Sequence, residues 1–433
     1  MVALNVVRRV LPALAAVVLA AGCGGETPTP SPRSAATDTP APRPSVVAVA
    51  SPTATSHASP TPTTTVAPAA TSTVAPTNRP PESWAGAGRL RSPAQDPVGV
   101  QLPDGTVLLA ERTSIEYDSS ETAPGDMGAV EWTMPAPRVQ RYSPEVGHFE
   151  VAARLDTARD GFAMAALPDG RVLVVGGLNE DLVGKSSTRI WNPARNRWAP
   201  GPLMSVARYL PAMGVLPDGS VLVAGGRGAK PAGAYQASAE RFDPVRSAWL
   251  PAADLPTGNE IWAFASLSDG SLLVVQHPPN GSDDFAPAPA YRYDPGSGEW
   301  EDIGAPPIGD TLGIELAGLR DGGALLVTED GAVIRYAPGA GWTQAGRTLV
   351  RRSSPAVVQI DDGRVLIAGG ARRGNDLASV ELFDPATGTS IDGRAMPVAR
   401  RNGLAMLLGD GSVLLAGGWA DSKEIMRVVR WVP

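Results

Sequence analysis

The chain has 433 residues, with 48 Gly, 43 Pro, one Cys, three His and a formal net charge of −7. A single Cys excludes an internal disulfide framework or a Cys-rich zinc site, and three His leave little room for a multi-His metal centre. The acidic balance argues against nucleic acid as a partner.

Residues 1–22 carry Arg8 and Arg9, then an apolar run from Val10 to Ala21, and end on Leu19-Ala20-Ala21-Gly22 before Cys23. A short positive region followed by an apolar stretch too short to span a bilayer is the signal-peptide pattern. The junction resembles the bacterial lipobox, in which the Cys is lipidated and becomes the mature N-terminus. The expectation is an exported protein, anchored through Cys23 to the outer face of a bacterial membrane, at the cell surface or in the periplasm. Residues 23–83 are mostly Pro, Ser, Thr and Ala, without an aromatic residue. Such a segment has nothing to bury against its ordering entropy, so it reads as a disordered, extended tether.

From residue 84 onward one phrase recurs seven times, with turn glycines at Gly105, Gly170, Gly219, Gly270, Gly322, Gly363 and Gly411. Each Asp-Gly lies between short β-branched runs, which reads as a hairpin; a two-residue type I′ turn is expected. A Gly pair follows in four units, at Gly176-Gly177, Gly225-Gly226, Gly369-Gly370 and Gly417-Gly418. Next come an aromatic-x-Pro phrase, such as Trp191-Asn-Pro, and a second aromatic, such as Trp198 or Trp249. Four strands per roughly 50 residues, with paired glycines and aromatics, resemble the kelch repeat. The resemblance implies an all-β, seven-bladed propeller over residues 84–433. The last unit ends after its third strand, whereas Ser83-Trp84 at the other end matches Arg197-Trp198. The strand around Trp84 is therefore expected to complete the last blade and close the ring.

With strands a to d counted from the axis outward, the b–c and d–a loops share one face, and these are the variable loops. Variable loops on a rigid scaffold are where binding usually sits. The longest insertion, near 112–137, is the b–c loop of blade 1. Arg159, Arg208, Arg352 and Arg400 occupy one register in the d–a loops, with Arg351 and Arg401 adjoining; Ala94, Asn259 and Thr311 stand there in the other blades. Such guanidiniums suit a carboxylate or phosphate ligand. The alternative is an internal role, in which each Arg pairs with a neighbouring blade. Glu260 and Trp262 line a similar loop, and His277 replaces a Gly of the pair in blade 4. Glu315 stands where other units have Ala and is a candidate acid or base.

Kelch propellers include copper-radical oxidases, whose chemistry needs a Tyr cross-linked to Cys, two His and a second Tyr. Here the lone Cys is the proposed lipid site and no His pair exists, so no metal or other cofactor is expected. The leading reading is a surface-tethered monomer that binds a protein, peptide or glycan through its b–c/d–a face. One alternative is a cofactor-free exported enzyme resembling the sialic-acid mutarotases and acting on an anionic sugar. The other is a structural spacer of the cell envelope.

Overall fold

The computed structural model describes residues 82–433 apart from Gln95 and segments 112–115, 118–131, 134–135, 230–233, 279–286 and 309–312. The expected signal peptide, Cys23, the tether, Thr311 and most of the blade 1 insertion lie outside the described residues.

The ring consists of seven four-stranded antiparallel sheets. Blade 2 is representative, with strands a to d at Ala163–Ala166, Val172–Val175, Thr188–Asn192 and Arg197–Pro200. The seven a strands pack side by side around the axis, and Leu404–Leu407 of the last blade meets Pro97–Gln101 of the first. Each b strand is a short, continuous apolar run because it is covered on both faces; Val172–Val175 is wholly buried. One apolar cluster fills each seam between consecutive blades. Between blades 1 and 2, for example, Leu108 and Val139 meet Phe162, Met164 and Trp191.

Closure uses the first described strand. Ser83–Arg89 is the outermost strand of the blade formed by Leu404–Leu407, Val413–Ala416 and Arg427–Val432. Trp84 lies opposite Trp431, as Trp198 lies opposite Trp191 in blade 2. The outer tryptophans also link the blades. The Trp198 indole N–H donates to the Ala153 carbonyl of the preceding blade at 2.6 Å. Trp249, Trp300 and Trp342 make the same bond to Pro202, Ala253 and Gly304. Trp84 makes it to Arg394 at 2.7 Å, so the first described strand is joined to blade 6 by the rule of the repeat. Ser390 and Phe149 hold this place in blades 6 and 1, and neither has an indole donor. Glu381 accepts the Leu349 and Val350 amides of its own d–a loop, as Glu240 accepts those of Ser205 and Val206 in blade 3, and Gln140 donates to Ser92.

The Asp-Gly turns are not type I′. In all seven, only the Gly adopts positive φ, for example +79° at Gly105 and +82° at Gly170. The Gly105 amide donates to the Leu102 carbonyl, and Leu102 N–H donates to Thr106. This is a type I turn followed by a left-handed glycine, the longer hairpin solution. Pro103, Pro168 and Pro217 suit its second position, where φ is fixed near −65°. The Asp side chain accepts the amide two residues on, as Asp218 does from Ser220. It also meets a guanidinium. Arg141, Arg241, Arg292, Arg335 and Arg430 reach it from strand c in five blades. Blades 2 and 6 have Ile190 and Leu382 in that register. There the residue after the Gly is Arg171 or Arg364, which pairs with Asp169 or Asp362. Burial opposes ionisation of Asp218, but Ser220 and Arg241 outweigh it, so the carboxyl titrates below its usual value.

The closure has a measurable consequence. Trp84→Phe keeps a ring on Trp431 and removes one indole bond, so it should cost about 1 kcal/mol. Deleting 83–91 strips the outer strand and should cost several times more in chemical denaturation. Equal unfolding of the deletion and the intact chain would contradict this closure.

Candidate binding cleft on the loop face

The repeated arginines are internal. Arg159, Arg208, Arg352 and Arg400 are each at most 1% exposed. Their partners belong to their own blade rather than to a neighbour. Arg159 Nη1 donates to the carbonyls of Gly176 and Ser187 at 2.9 and 3.1 Å. Arg208 does so to Gly225 and Ser238, and Arg352 to Gly369 and Ser379. Arg400 reaches Leu415, Gly417 and Arg427. Each guanidinium thus ties the end of strand b to the start of strand c. Two add a carboxylate: Arg208 meets Glu240 at 3.2 Å, and Arg352 pairs with Glu381. Burial pushes Arg159 and Arg400 down to about 10, still cationic at neutral pH.

The Arg backbone joins one blade to the previous one. Gly177 N–H of blade 2 donates to the Arg208 carbonyl of blade 3 at 2.8 Å, and Gly370 does the same to Arg400. Gly418 closes the series onto Ala94. This approach explains the Gly pairs. Gly176 has φ of +67°, and a Cβ there would lie 2.3 Å from the Arg208 carbonyl oxygen. A side chain at that position would push the next blade's loop away.

These four arginines therefore do not form a ring open to an external anion. Their forks are filled by carbonyls that would otherwise be buried without partners. Arg351 is exposed, and Arg401 is part-buried on Asp376 at 2.5 Å. Glu315 is half-buried on strand Ile314–Gly318, opposite Val327, and is not without a partner.

Blade 4 departs from this scheme at both positions. Asn259 stands in the Arg register, and Gln276-His277 replaces the Gly pair. The fully buried Gln276 takes over the pinning: its Nε2 donates to the Thr257 carbonyl at 3.1 Å, and its Oε1 accepts from the Thr257 hydroxyl at 2.5 Å. The Tyr291 hydroxyl lies 3.1 Å from the same Thr257 hydroxyl. The d–a loop is held without the guanidinium, and Asn259 and Glu260 are released from that duty.

A cleft of about 340 Å³ opens there between blades 3 and 4. Tyr235, Gly258, Asn259, Glu260, His277 and Pro278 line it, with Ala234 at the edge. Glu260 is exposed and accepts the Tyr235 hydroxyl at 2.7 Å. Burial and then the Glu260 charge push the Tyr235 phenol up, so it remains a neutral donor. Arg227 stacks its guanidinium carbon 4.6 Å above the Tyr235 ring. His277 lies 4.9 Å from Trp262, ring to ring, and its Nδ1–H donates to Pro278 O at 2.8 Å. Of the residues singled out from the sequence, the fold brings together Glu260, Trp262 and His277. Tyr235 and Gln276 were not singled out. The available signal was that the Arg and the Gly pair are lost together, in blades 1, 4 and 5, and that blade 4 puts Asn259 and Gln276-His277 in their places.

No protein-family model matches the chain, and no curated protein matches it. Among solved structures, it is similar to a fungal alcohol oxidase with catalytic diversity among the AA5 family, in complex with copper. The TM-score is 0.58 at 16% identity, covering 81% of this chain and 76% of that one. The likeness shows a shared propeller fold. The residues here do not fit a copper-radical centre: the one Cys is Cys23, and the three His are His57, His148 and His277. His148 begins a d strand of blade 1, whereas His277 lies on the loop face of blade 4.

The internal role of the arginines separates two substitutions. Arg208→Ala should destabilise the ring by about 3 kcal/mol or more, because it leaves buried carbonyls and Glu240 short of partners. Arg351→Ala should stay within about 0.5 kcal/mol. Denaturant melts that ranked the two in the opposite order would refute the assignment.

Proposed function

We propose that this chain is a surface-tethered kelch-type propeller that binds a protein, peptide or glycan through its b–c/d–a face. The observation that carries this reading is the cleft at Glu260, which opens where blade 4 abandons the repeat's internal pins. A structural spacer gives no reason for that local departure. The anionic-sugar enzyme loses its anchors, since the four repeated guanidiniums are occupied within their own blades. The N-terminal residues support the location: the lipobox-like run before Cys23 suits lipid anchoring, and the Pro/Thr/Ser-rich segment suits a stalk.

A photo-crosslinking residue distinguishes the two faces in cells. Placed at Ala234, beside the cleft, it should give a discrete adduct. Placed at Val245, 92% exposed in a c–d turn of the opposite face, it should give none. In the Cys23→Ser chain the adduct-forming protein should move from the membrane to the soluble fraction. Equal labelling from both positions, or from neither, would contradict the binding face; retention of the Ser variant in the membrane would contradict the anchor.

A further inference from the structure

The geometry points to a primary ammonium group as the ligand of the blade 3–4 cleft, an inference that rests on the binding reading above and adds its chemistry. Tyr235 spends its hydroxyl hydrogen on Glu260. His277 spends its Nδ1 hydrogen on the Pro278 carbonyl, which can only accept, so its Nε2 carries a lone pair. The Asn259 Nδ2 atom is turned in, buried and without a partner among the described residues. Among the described residues, the lining therefore offers the exposed Glu260 carboxylate and His277 Nε2 as acceptors, and its one unpartnered side-chain donor, Asn259 Nδ2, is buried.

A lysine-type ammonium has three donors and no acceptor. It matches that inventory, whereas a sugar hydroxyl brings an acceptor for each donor. The charges agree. The turn aspartates of the opposite face each meet a guanidinium, whereas Glu260 has no ion-pair partner among the described residues. Arg227 is stacked on Tyr235 and is not among the lining residues. The chain is acidic overall, which draws cations to its surface. Tyr235 and His277 supply ring faces and edges for the methylenes of an alkylamine.

Titration of the full chain at fixed ionic strength tests this with Nα-acetyl-lysine methylamide, n-butylammonium and the Nε-acetylated lysine derivative. Both ammonium probes should bind saturably, and Nε-acetylation should abolish binding. Tighter binding of the lysine derivative would mark a partner's lysine side chain; tighter butylammonium would mark a small free amine. Glu260→Gln should weaken the interaction about tenfold, the size of one charge-assisted hydrogen bond, with the unfolding midpoint kept. Absence of saturable ammonium binding, equal binding of the acetylated probe, or indifference to Glu260→Gln would overturn the inference. If Ala234 still cross-links a partner under any of those outcomes, the binding reading stands and only the ammonium assignment falls.

Discussion

The ring depends on how closely one blade's d–a loop can approach the end of the previous blade's strand b. The contact is a backbone one, from Gly177 to Arg208, from Gly370 to Arg400 and from Gly418 to Ala94. It requires glycine because a Cβ would enter the carbonyl oxygen, and it requires positive φ at both members of the pair. The same approach buries the ends of strands b and c, whose carbonyls then need a donor away from water. A guanidinium supplies several N–H groups in one plane and can satisfy two strands at once. The Gly pair and the Arg are thus two halves of one device: Arg159, Arg208, Arg352 and Arg400 stand in the four blades that have the pair.

The opposite face solves its own problem with the same pair of residue types. Each Asp-Gly turn needs a cation beside its carboxylate, and the chain draws it from strand c or from the turn itself. Where strand c has Ile190 or Leu382, the turn reads Asp-Gly-Arg. Both faces therefore use arginine structurally, and an excess of Arg over Lys reflects the demand for planar, multiply bonded cations in the repeat rather than a ligand. Function is better sought where the repeat is broken and the break is compensated. Blade 4 meets that condition: Gln276, Thr257 and Tyr291 hold the loop, and Asn259 and Glu260 face a cleft.

Much of the fold was legible because it is written seven times. The blade count, the strand order and the closure by Trp84 follow from phrases whose physical roles are local: a turn, a buried run, an aromatic pair. The turn type is not legible, because Asp-Gly alone does not report that only its Gly adopts positive φ. The arginines were harder. A loop register near the axis suggests an open ring, but the side chain runs back into its own blade, and burial cannot be read from register. The coincidence of Arg with the Gly pair was visible in the sequence and was the better guide. Tyr235 lay beyond reach because its meeting with Glu260 joins two blades across loops of no fixed length.

The central claim is that the cleft exists because blade 4 gave up the Arg–Gly device. Restoring it, with Asn259→Arg, Gln276→Gly and His277→Gly in one chain, and comparing cross-linking from Ala234 with that of the parent, tests this directly. The account predicts a folded ring with unfolding at least as cooperative as the parent and with the adduct lost. A restored ring that still forms the adduct would contradict it.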